Sequence, residues 1–439
     1  MGRRRAYKPL GVYLNSRLVG HLNREPSGAI DFRYDQTWLD WEHAMPVSQS
    51  LSLREDRYIG EPVIAVFDNL LPDNEAIRRR LAEKSHAEGQ DAFSLLSAVG
   101  RDCVGALQFL PEENDPEPAG TINSRPISEA EIAKIIRNLA HAPLGVDDDD
   151  GEFRISIAGA QEKTALLFHS GEWHIPHGTT ATTHILKPQI GKLENGIDLS
   201  QSVENEHFCL RLIGELGMAV TKSEILDFNG VRVLALERFD RTWTDGGKRL
   251  LRLPQEDCCQ ALSVPPTRKY ESDRGPGIPN LLDLLKASDT PEGDRKAFYK
   301  AQVLNWLLGA TDGHAKNYSI FLRPGGGFNL TPLYDVMSAQ PNVDMHQITH
   351  NKMKLAMAIG KNRHYRVESV VPRHFLQTAA ICGLPERDVE EIFAELREDM
   401  DGALARTLKV MPKDFPEDIA ESISNGVTNR MRLFEYGIG

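Results

Sequence analysis

Apolar runs are short throughout this 439-residue chain, and none reaches the roughly 18 consecutive residues that a membrane-spanning helix needs. The segment Met1–Lys8 also lacks the hydrophobic core of a signal peptide. No internal repeat is visible, and no low-complexity segment is long enough to matter. We therefore expect a globular protein of the cytoplasm with no membrane contact, large enough to divide into two or three domains.

Cysteine is scarce as well. The chain has five cysteines and no C-x-x-C pair: Cys103, Cys209, Cys258, Cys259 and Cys382. An odd number without such pairs argues against a disulfide framework and against a zinc knuckle. We expect these thiols to be reduced and buried.

Positive charge is in deficit, since 51 Lys and Arg face 63 Asp and Glu, for a net charge of -12. This balance opposes broad attraction to nucleic acid, which depends on accumulated Lys and Arg. Any DNA contact should therefore be local. The run Arg3–Arg5 is one candidate, although short terminal charge runs are usually solvated arms. The acidic run Asp147–Asp150 is typical of a solvated linker.

The hydrophobic periodicity changes along the chain and suggests its organisation. Alternation at 10–22 and 29–34 predicts antiparallel strands, spacing at 74–81 and 92–99 predicts helices, and 104–110 predicts another strand. These elements define an N-terminal α/β module over residues 1–115. Prolines and acids mark a connector over 116–150, with a capped helix at 128–139.

Residues 151–240 read as a β-rich small lobe, and residues 241–439 as a mostly α-helical large lobe. The small lobe has predicted strands at 164–168, 173–176, 183–187, 224–228 and 231–237, with a helix at 203–216. The large lobe has predicted helices at 278–287, 295–308, 372–382, 386–404 and 418–434. The predicted fold class is α+β, in the order of a protein-kinase-like fold.

Three side chains suited to phosphoryl transfer occur close together: Asp312, Asn317 and Asp335. The apolar run before Asp312 predicts a helix that Gly313 ends, and 321–333 predicts a hairpin around Gly325–Gly327 that returns to Asp335. Asp312 and Asn317 have the spacing of a kinase catalytic loop, and a later aspartate is the second metal holder. Either aspartate alone would fit an ordinary turn. Together the three favour a base, an amide ligand and a carboxylate ligand.

A candidate phosphate cradle precedes them at 156–163. Its small residues Ala158, Gly159 and Ala160, with Ile157 and Gln161 beside them, would let backbone N–H groups approach phosphate oxygens. By itself the loop also fits a simple tight turn.

Lys187 ends a predicted strand, from which its ammonium could reach nucleotide phosphates; on its own it also fits a lysine that faces water. Glu206, or Glu204, would hold Lys187 as an ion pair, or would serve as a helix-dipole partner.

Two further features complete the candidate site. Glu237–Phe239 stands where a hinge would meet adenine, and Phe239 fits either an adenine cover or an inter-lobe core residue. His314 follows Asp312 by two positions, where many kinases carry a phosphate-contacting lysine, so we include it with Asp312 among the catalytic candidates. We do not interpret His314, His174 or His177 as metal ligands, because no cluster at ligand spacing surrounds them.

At 153–164, 253–257, 269–272, 309–317 and 333–335 the chain resembles the HipA family, the serine/threonine kinase toxins of bacterial toxin–antitoxin modules. The likeness extends into the first module at 68–73 and 100–102. The resemblance implies an atypical protein-kinase fold that uses ATP and Mg²⁺, and a phosphoacceptor serine in the glycine loop, matched by Ser156. It implies catalysis by Asp312, metal binding by Asn317 and Asp335, and ATP binding by Lys187, the loop around Gly159 and the Glu237–Phe239 hinge.

The same resemblance implies partners: a HipB-like helix-turn-helix antitoxin, operator DNA reached through that antitoxin, and glutamate–tRNA ligase as the protein target. Like the family, the chain lacks G-x-G-x-x-G and H-R-D, and Tyr334-Asp-Val336 stands in place of D-F-G. Three functions are therefore weighed: a toxin kinase, a DNA-bound corepressor acting with an antitoxin, and a small-molecule kinase of the aminoglycoside-phosphotransferase kind.

Overall fold

The computed structural model describes residues 7–114, 116–145, 155–159 and 161–436. The runs Arg3–Arg5 and Asp147–Asp150 and the loop residue Ala160 lie outside the described residues. The chain forms two compact units. The first comprises Met1–Pro188, Leu226–Thr267 and Ile320–Phe328, and the second comprises Gln189–Ile225, Arg268–Ser319 and Asn329–Gly439. The domain boundaries at 115, 150 and 240 stay predictions.

The strands are, in chain order, β1 Leu10–Leu14, β2 Arg17–Arg24, β3 Ile30–Tyr34, β4 Tyr58–Ile59, β5 Leu107–Pro111, β6 Ser124–Pro126, β7 Thr164–His169, β8 Glu172–Pro176, β9 His184–Pro188, β10 Gly191–Lys192, β11 Asp198–Leu199, β12 Ser223–Phe228, β13 Val231–Glu237, β14 Arg241–Thr244, β15 Arg249–Arg252, β16 Gln255–Asp257, β17 Ser319–Leu322, β18 Phe328–Leu330, β19 Lys354–Ile359 and β20 His364–Arg366.

The α-helices are α1 Gln36–Leu39, α2 Glu61–Asp68, α3 Glu75–Lys84, α4 Ala92–Val99, α5 Glu129–Arg137, α6 Ser202–Glu215, α7 Cys258–Ala261, α8 Ile278–Leu284, α9 Pro291–Leu308, α10 Gln340–Asp344, α11 Pro372–Cys382, α12 Glu386–Val410, α13 Glu417–Met431 and α14 Leu433–Tyr436. This mixture of helices and sheets confirms the predicted α+β class.

A five-stranded antiparallel sheet of order β4-β3-β2-β1-β5 opens the first unit. Asn15 and Ser16 join β1 to β2 with φ of 44° and 68°, the left-handed conformation of a tight hairpin turn. The antiparallel strands predicted over 10–22 are therefore confirmed. The strand predicted over 104–110 begins later, at Leu107, because Gly105 turns the chain with φ of 74°.

The second sheet has the order β12-β13-β9-β7-β8-β6, and it carries the predicted small-lobe strands. Helix α5 packs against β13 and begins with a capping box, in which the Ser128 hydroxyl accepts from the Glu131 N–H and the Glu131 carboxylate accepts from the Ser128 N–H. The helix predicted over 128–139 is thus confirmed, with its end two residues earlier at Arg137.

Helices dominate the second unit. Buried aromatic residues form its core, with Trp306 5.5 Å from Phe375 and Phe393 4.7 Å from Phe434 between ring centroids. The helix predicted to end at 404 continues to Val410. Its buried face extends beyond the predicted end, since both Leu404 and Thr407 are buried. All five cysteines are buried, which confirms the predicted burial. Among the described helices, none is both long and apolar enough to span a bilayer.

The end of α9 corrects one prediction. The helix predicted over 295–308 does end at Leu308, but Gly309 and not Gly313 stops it, with φ of 66°. Gly309 donates its N–H back to Trp306, and glycine adopts this left-handed capping conformation at no steric cost. The consequence is that Asp312 lies on a loop beyond the helix.

Candidate functional site

The loop after α9 folds back on itself and joins Asp312 to Asn317. The Asn317 side-chain amide donates to the Asp312 backbone carbonyl at 2.7 Å. The His314 N–H donates to the same carbonyl at 2.7 Å, and the Asn317 N–H donates to the His314 carbonyl at 2.9 Å. The five-residue spacing read from the sequence therefore closes into one compact turn.

Asp335 has a left-handed backbone conformation that aspartate rarely adopts, with φ of 57°. Hydrogen bonds fix the chain on both sides of it: Leu333 donates its N–H to Ala219 at 2.9 Å, and Ser338 exchanges two 2.8 Å bonds with the Asn205 side chain. Such strain persists only where the surroundings enforce it, and it concentrates at functional sites.

Asp312, Asn317 and Asp335 line one cleft within the second unit. Asn305, Gly313 and Tyr318 line it with them. The Asn305 amide donates to the Tyr318 hydroxyl at 2.8 Å, and a Cβ on Gly313 would lie only 2.4 Å from the Asn305 amide nitrogen. The Asn305 amide thus packs directly against the Gly313 backbone, where a side chain would not fit.

The donor set of this cleft fits magnesium. Mg²⁺ is usually held by one or two carboxylates together with water and substrate phosphates, and not by a complete protein cage. Asp335 and Asn317 would supply one carboxylate and one amide oxygen. In the described part of the chain, no group of three or more His, Cys, Asp or Glu side chains is arranged as a metal site.

His314 is buried beneath Asp312. Its side chain is 2% exposed, and its Nε2 lies 3.7 Å from Asp312 Oδ1. Burial lowers the pKa of His314, although the neighbouring Asp312 acts in the opposite direction. The imidazole is therefore neutral at neutral pH.

Tyr270 also contacts the Asp312 carboxylate, although the sequence did not predict it as a site residue. Its hydroxyl donates to Asp312 Oδ1, and its ring meets the His314 ring edge-on at 4.8 Å between centroids. Forty-two positions separate Tyr270 from Asp312, so no local spacing could connect them. The sequence pointed to Tyr270 only through the segment 269–272, which resembles the HipA family. That resemblance did not assign Tyr270 a function.

The glycine loop lies in the first unit, docked on the N-terminal module. The Ser156 N–H donates to the Asp102 carbonyl at 3.0 Å, and its hydroxyl donates to the Leu70 carbonyl at 2.8 Å. Further along, Asp73 donates its N–H to the Gly159 carbonyl at 3.1 Å. Ser156 has no exposed surface in this arrangement, and Ile157 has almost none.

Two side chains hold the far end of this loop. Lys163 donates its ammonium to the Ala158 carbonyl at 2.8 Å, and Gln161 donates its amide to the Pro188 carbonyl at 3.1 Å. Gln161 thereby joins the loop to the end of β9, next to Lys187. The structure thus brings the predicted loop and the predicted lysine strand together.

Lys187 is only 5% exposed and lies opposite Leu234 in the β9–β13 register. The alternative of a lysine that faces water is therefore wrong. Glu204 and Glu206 are buried on α6, and Glu204 accepts from the Gln189 amide at 2.7 Å. The ion pair of Lys187 with either glutamate stays a prediction.

The hinge candidates lie at the end of β13, where Glu237 is exposed and pairs with His184. Phe239 packs edge-on against Phe321, with 5.8 Å between ring centroids. Between them, Arg238 turns inward and donates to Asp240 at 2.7 Å and to the Cys103 carbonyl at 2.8 Å.

Asp102 is the centre of this buried network, although the sequence did not predict a function for it. Its carboxylate accepts from the Thr182 hydroxyl at 2.8 Å, from Arg241 at 2.9 Å and from Arg252 at 3.0 Å. Burial raises the pKa of Asp102, but the guanidinium groups of Arg241, Arg252 and Arg238 outweigh that effect and hold the pKa well below its usual range.

A model of the HipA-like C-terminal domain matches residues 155–404, and a model of the HipA N-terminal domain matches residues 10–110. The chain is 36% identical over 356 residues to the Sinorhizobium fredii protein Y4mE, covering 80% of this chain and 81% of that one. It is 28% identical over 416 residues to the serine/threonine-protein kinase toxin HipA of Shewanella oneidensis, covering 92% and 90%.

A solved structure is similar over nearly the whole chain. It is the Shewanella oneidensis complex of HipA, HipB and operator DNA, with a TM-score of 0.80 and 27% identity over 97% of each chain.

Proposed function

Because this chain belongs to the HipA family, we propose that it is an ATP- and magnesium-dependent serine/threonine protein kinase that acts as the toxin of a toxin–antitoxin module. One observation carries the proposal: Asp312, Asn317 and Asp335 line a single cleft. Phosphoryl transfer depends mainly on positioning and on neutralising charge, and these are the groups that such a reaction requires.

In the proposed reaction Asp312 orients the acceptor hydroxyl and accepts its proton. The acceptor oxygen bonds to the γ-phosphorus of ATP, and the bond from that phosphorus to the bridging oxygen breaks, so that ADP leaves with the electron pair. Asn317 and Asp335 would hold the magnesium ion, which neutralises phosphate charge when bound. The 57% exposure of the Asp312 side chain leaves room for an acceptor to approach.

Lys187 and the loop residues Ile157, Ala158, Gly159, Ala160 and Gln161 are proposed to hold the ATP phosphates. The bond from Gln161 to Pro188 supports this assignment because it joins the loop to the end of the strand that carries Lys187. The burial of Lys187 also supports it, because the side chain does not simply face water. Glu237 and Phe239 are proposed to meet the adenine. His314, neutral and buried beneath Asp312, is proposed to assist at the phosphates through its imidazole.

Ser156 is proposed to be an autophosphorylation site that inactivates the enzyme. A phosphoserine carries about −1.5 to −2 charges at neutral pH. Ser156 has no exposed surface and its hydroxyl donates to the Leu70 carbonyl, so the docked loop leaves no room for a phosphate at that oxygen. Phosphorylation would therefore keep the loop away from its docked position.

Glutamate–tRNA ligase is the proposed protein target, and its inactivation would inhibit translation and induce persistence. A HipB-like antitoxin and operator DNA are the proposed partners, supported by the Shewanella oneidensis HipA structure solved with HipB and operator DNA. The same observation favours a second function, that of corepressor. The net charge of -12 suits a basic antitoxin better than direct DNA contact.

Transfer of radiolabel from ATP tests the kinase proposal. Purified wild-type protein with Mg²⁺ should label itself or glutamate–tRNA ligase, and Asp312→Asn should not. Equal labelling by both would remove Asp312 from catalysis, whereas no protein labelling together with turnover of a small alcohol would favour the small-molecule kinase. Promoter footprinting with antitoxin, alone and with this protein, tests the corepressor role, which unchanged protection and affinity would refute.

A further inference from the structure

Tyr270 places a hydroxyl on the same carboxylate that the proposed reaction uses. Its hydroxyl donates to Asp312 Oδ1, while its ring contacts the His314 ring, whose Nε2 lies 3.7 Å from that oxygen. Two neighbours thus border Oδ1. The Asp312 side chain is nevertheless 57% exposed, so the carboxylate can still meet an acceptor.

The segment that carries Tyr270 is folded tightly and anchored to β19. The Tyr270 carbonyl accepts from the Asp273 N–H at 3.0 Å and from the Gly275 N–H at 2.9 Å. The next residue, Glu271, accepts from the Ala358 N–H at 2.6 Å and pairs with Arg363 at 2.9 Å, with its side chain only 8% exposed. Tyr270 is therefore presented from a fixed loop and not from a mobile one.

We propose that Tyr270 is a positioning residue of the phosphoryl-transfer site, whose hydroxyl fixes the Asp312 carboxylate in the orientation that meets the acceptor. This inference rests on the proposed kinase function. A carboxylate on a loop rotates about its side-chain bonds, and a hydrogen bond to one oxygen selects one rotamer and directs the other oxygen outward. Tyr270 keeps its own proton throughout, because Asp312 receives the proton of the acceptor.

A gate is the competing interpretation of the same contact. In that case the Tyr270 hydroxyl would occupy the place of the acceptor hydroxyl and would have to leave before transfer. The anchoring of the segment through Glu271 argues against such movement. The two interpretations predict opposite effects of removing the hydroxyl, because a gate slows the reaction and a positioning group speeds it.

The variant Tyr270→Phe removes the hydroxyl and retains the ring that packs on His314. We would measure the rate of label transfer from ATP to Ser156 at saturating MgATP and the ATP concentration that gives the half-maximal rate. Calorimetry would measure the affinity for MgATP. The rate should fall by about tenfold to a hundredfold, since small misplacement of a reacting group costs that much. The half-saturating concentration and the affinity should stay within about twofold of wild type.

Tyr58→Phe is the matched control. It deletes a hydroxyl that donates to the Ser52 carbonyl at 2.7 Å in the N-terminal module, and it should leave the rate unchanged. A Tyr270→Phe rate equal to wild type, or higher, would overturn the positioning role. Equal losses of rate and MgATP affinity would also overturn it, because they would indicate general damage to the site.

The experiment separates this inference from the function on which it rests. If wild type labels and Asp312→Asn does not, the kinase stands whatever Tyr270→Phe does. If wild type transfers no phosphate to any protein, both proposals fall together.

Discussion

Asp102 and Arg241 form a buried ion pair, with 2.9 Å between carboxylate oxygen and guanidinium nitrogen and with side chains 3% and 2% exposed. Asp102 follows the helix α4 of the N-terminal module, whereas Arg241 follows the hinge candidates Glu237 and Phe239. Arg238 and Arg252 complete the cluster, and Asp240 is its second carboxylate. The pair therefore ties the module to the strand end at which adenine binding is proposed.

Replacing Asp102 with Asn should destabilise the protein by about 3–5 kcal/mol, the range for leaving buried charge unpaired. The change would leave the guanidinium groups of Arg238, Arg241 and Arg252 with Asp240 as the remaining carboxylate of the cluster. Urea unfolding would measure the loss. The control Asp245→Asn removes an exposed pair with Arg249 and should cost at most about 1 kcal/mol. Similar midpoints for both variants would contradict the assigned importance of burial.

Asp335→Asn should lower label transfer at least about a hundredfold, because removing a metal ligand costs more than the roughly 10- to 100-fold loss at outer-shell partners. Asparagine accepts the left-handed backbone at this position, where φ is 57°, so the fold should survive. The dependence of the rate on Mg²⁺ concentration should shift upward. The exposed residue Asp401 on α12 offers a control through Asp401→Asn, for which wild-type magnesium dependence is expected. Retained wild-type dependence in Asp335→Asn would exclude Asp335 as a ligand.

Gly159→Ala should weaken ATP binding, since Gly159 has φ of 111° and an added Cβ would lie 2.5 Å from the Lys163 ammonium. A strained residue of this kind costs about 1–2 kcal/mol, which corresponds to roughly 5- to 30-fold in affinity. Calorimetry with MgATP would measure the effect. Gly171→Ala is matched in backbone strain, with φ of 86°, but its Cβ would meet no atom within 4 Å. ATP affinity in Gly171→Ala should be unchanged, and an equal loss in both variants would refute a role for the loop.

Glu256 makes stability depend on pH. Burial raises the pKa of Glu256 to about 8, against the opposing effect of the Gln49 N–H that donates to it at 2.7 Å. The folded state then holds a proton that the unfolded state releases near the ordinary glutamate pKa of 4.5. The stabilising contribution is complete below that value and falls, by up to about 1.4 kcal/mol per pH unit, until the pH reaches the folded pKa.

Glu256→Gln imitates the protonated acid and should flatten this decline. Chemical unfolding of wild type and variant at several pH values between 5 and 8 would show it, with Glu172→Gln on the exposed start of β8 as control. Parallel curves for wild type and Glu256→Gln would contradict the raised pKa.

Local patterns predicted most elements well, because alternation and helical spacing depend on neighbouring residues. Strand β13 and helix α11 have their predicted bounds. The end of α9 at Leu308 agrees with the helix predicted over 295–308, but the stop assigned to Gly313 was wrong, since both Gly309 and Gly313 can stop a helix and only packing decides between them. The proximity of Asp312 and Asn317 could be predicted because their contact closes over five residues. Tyr270 and the Asp102 cluster could not, because their partners lie 42 to 150 residues away.

The docking of Ser156 and Gly159 on Leu70 and Asp73 has a consequence for how this chain can be divided. The backbone that seats the loop comes from the N-terminal module, so a fragment containing only the later residues would lack the surface against which its own loop folds. Separately produced halves, cut in the connector, should each be inert and should regain phosphotransfer when mixed. The N-terminal module would then be a structural component of the nucleotide site, and removing the module would remove the site.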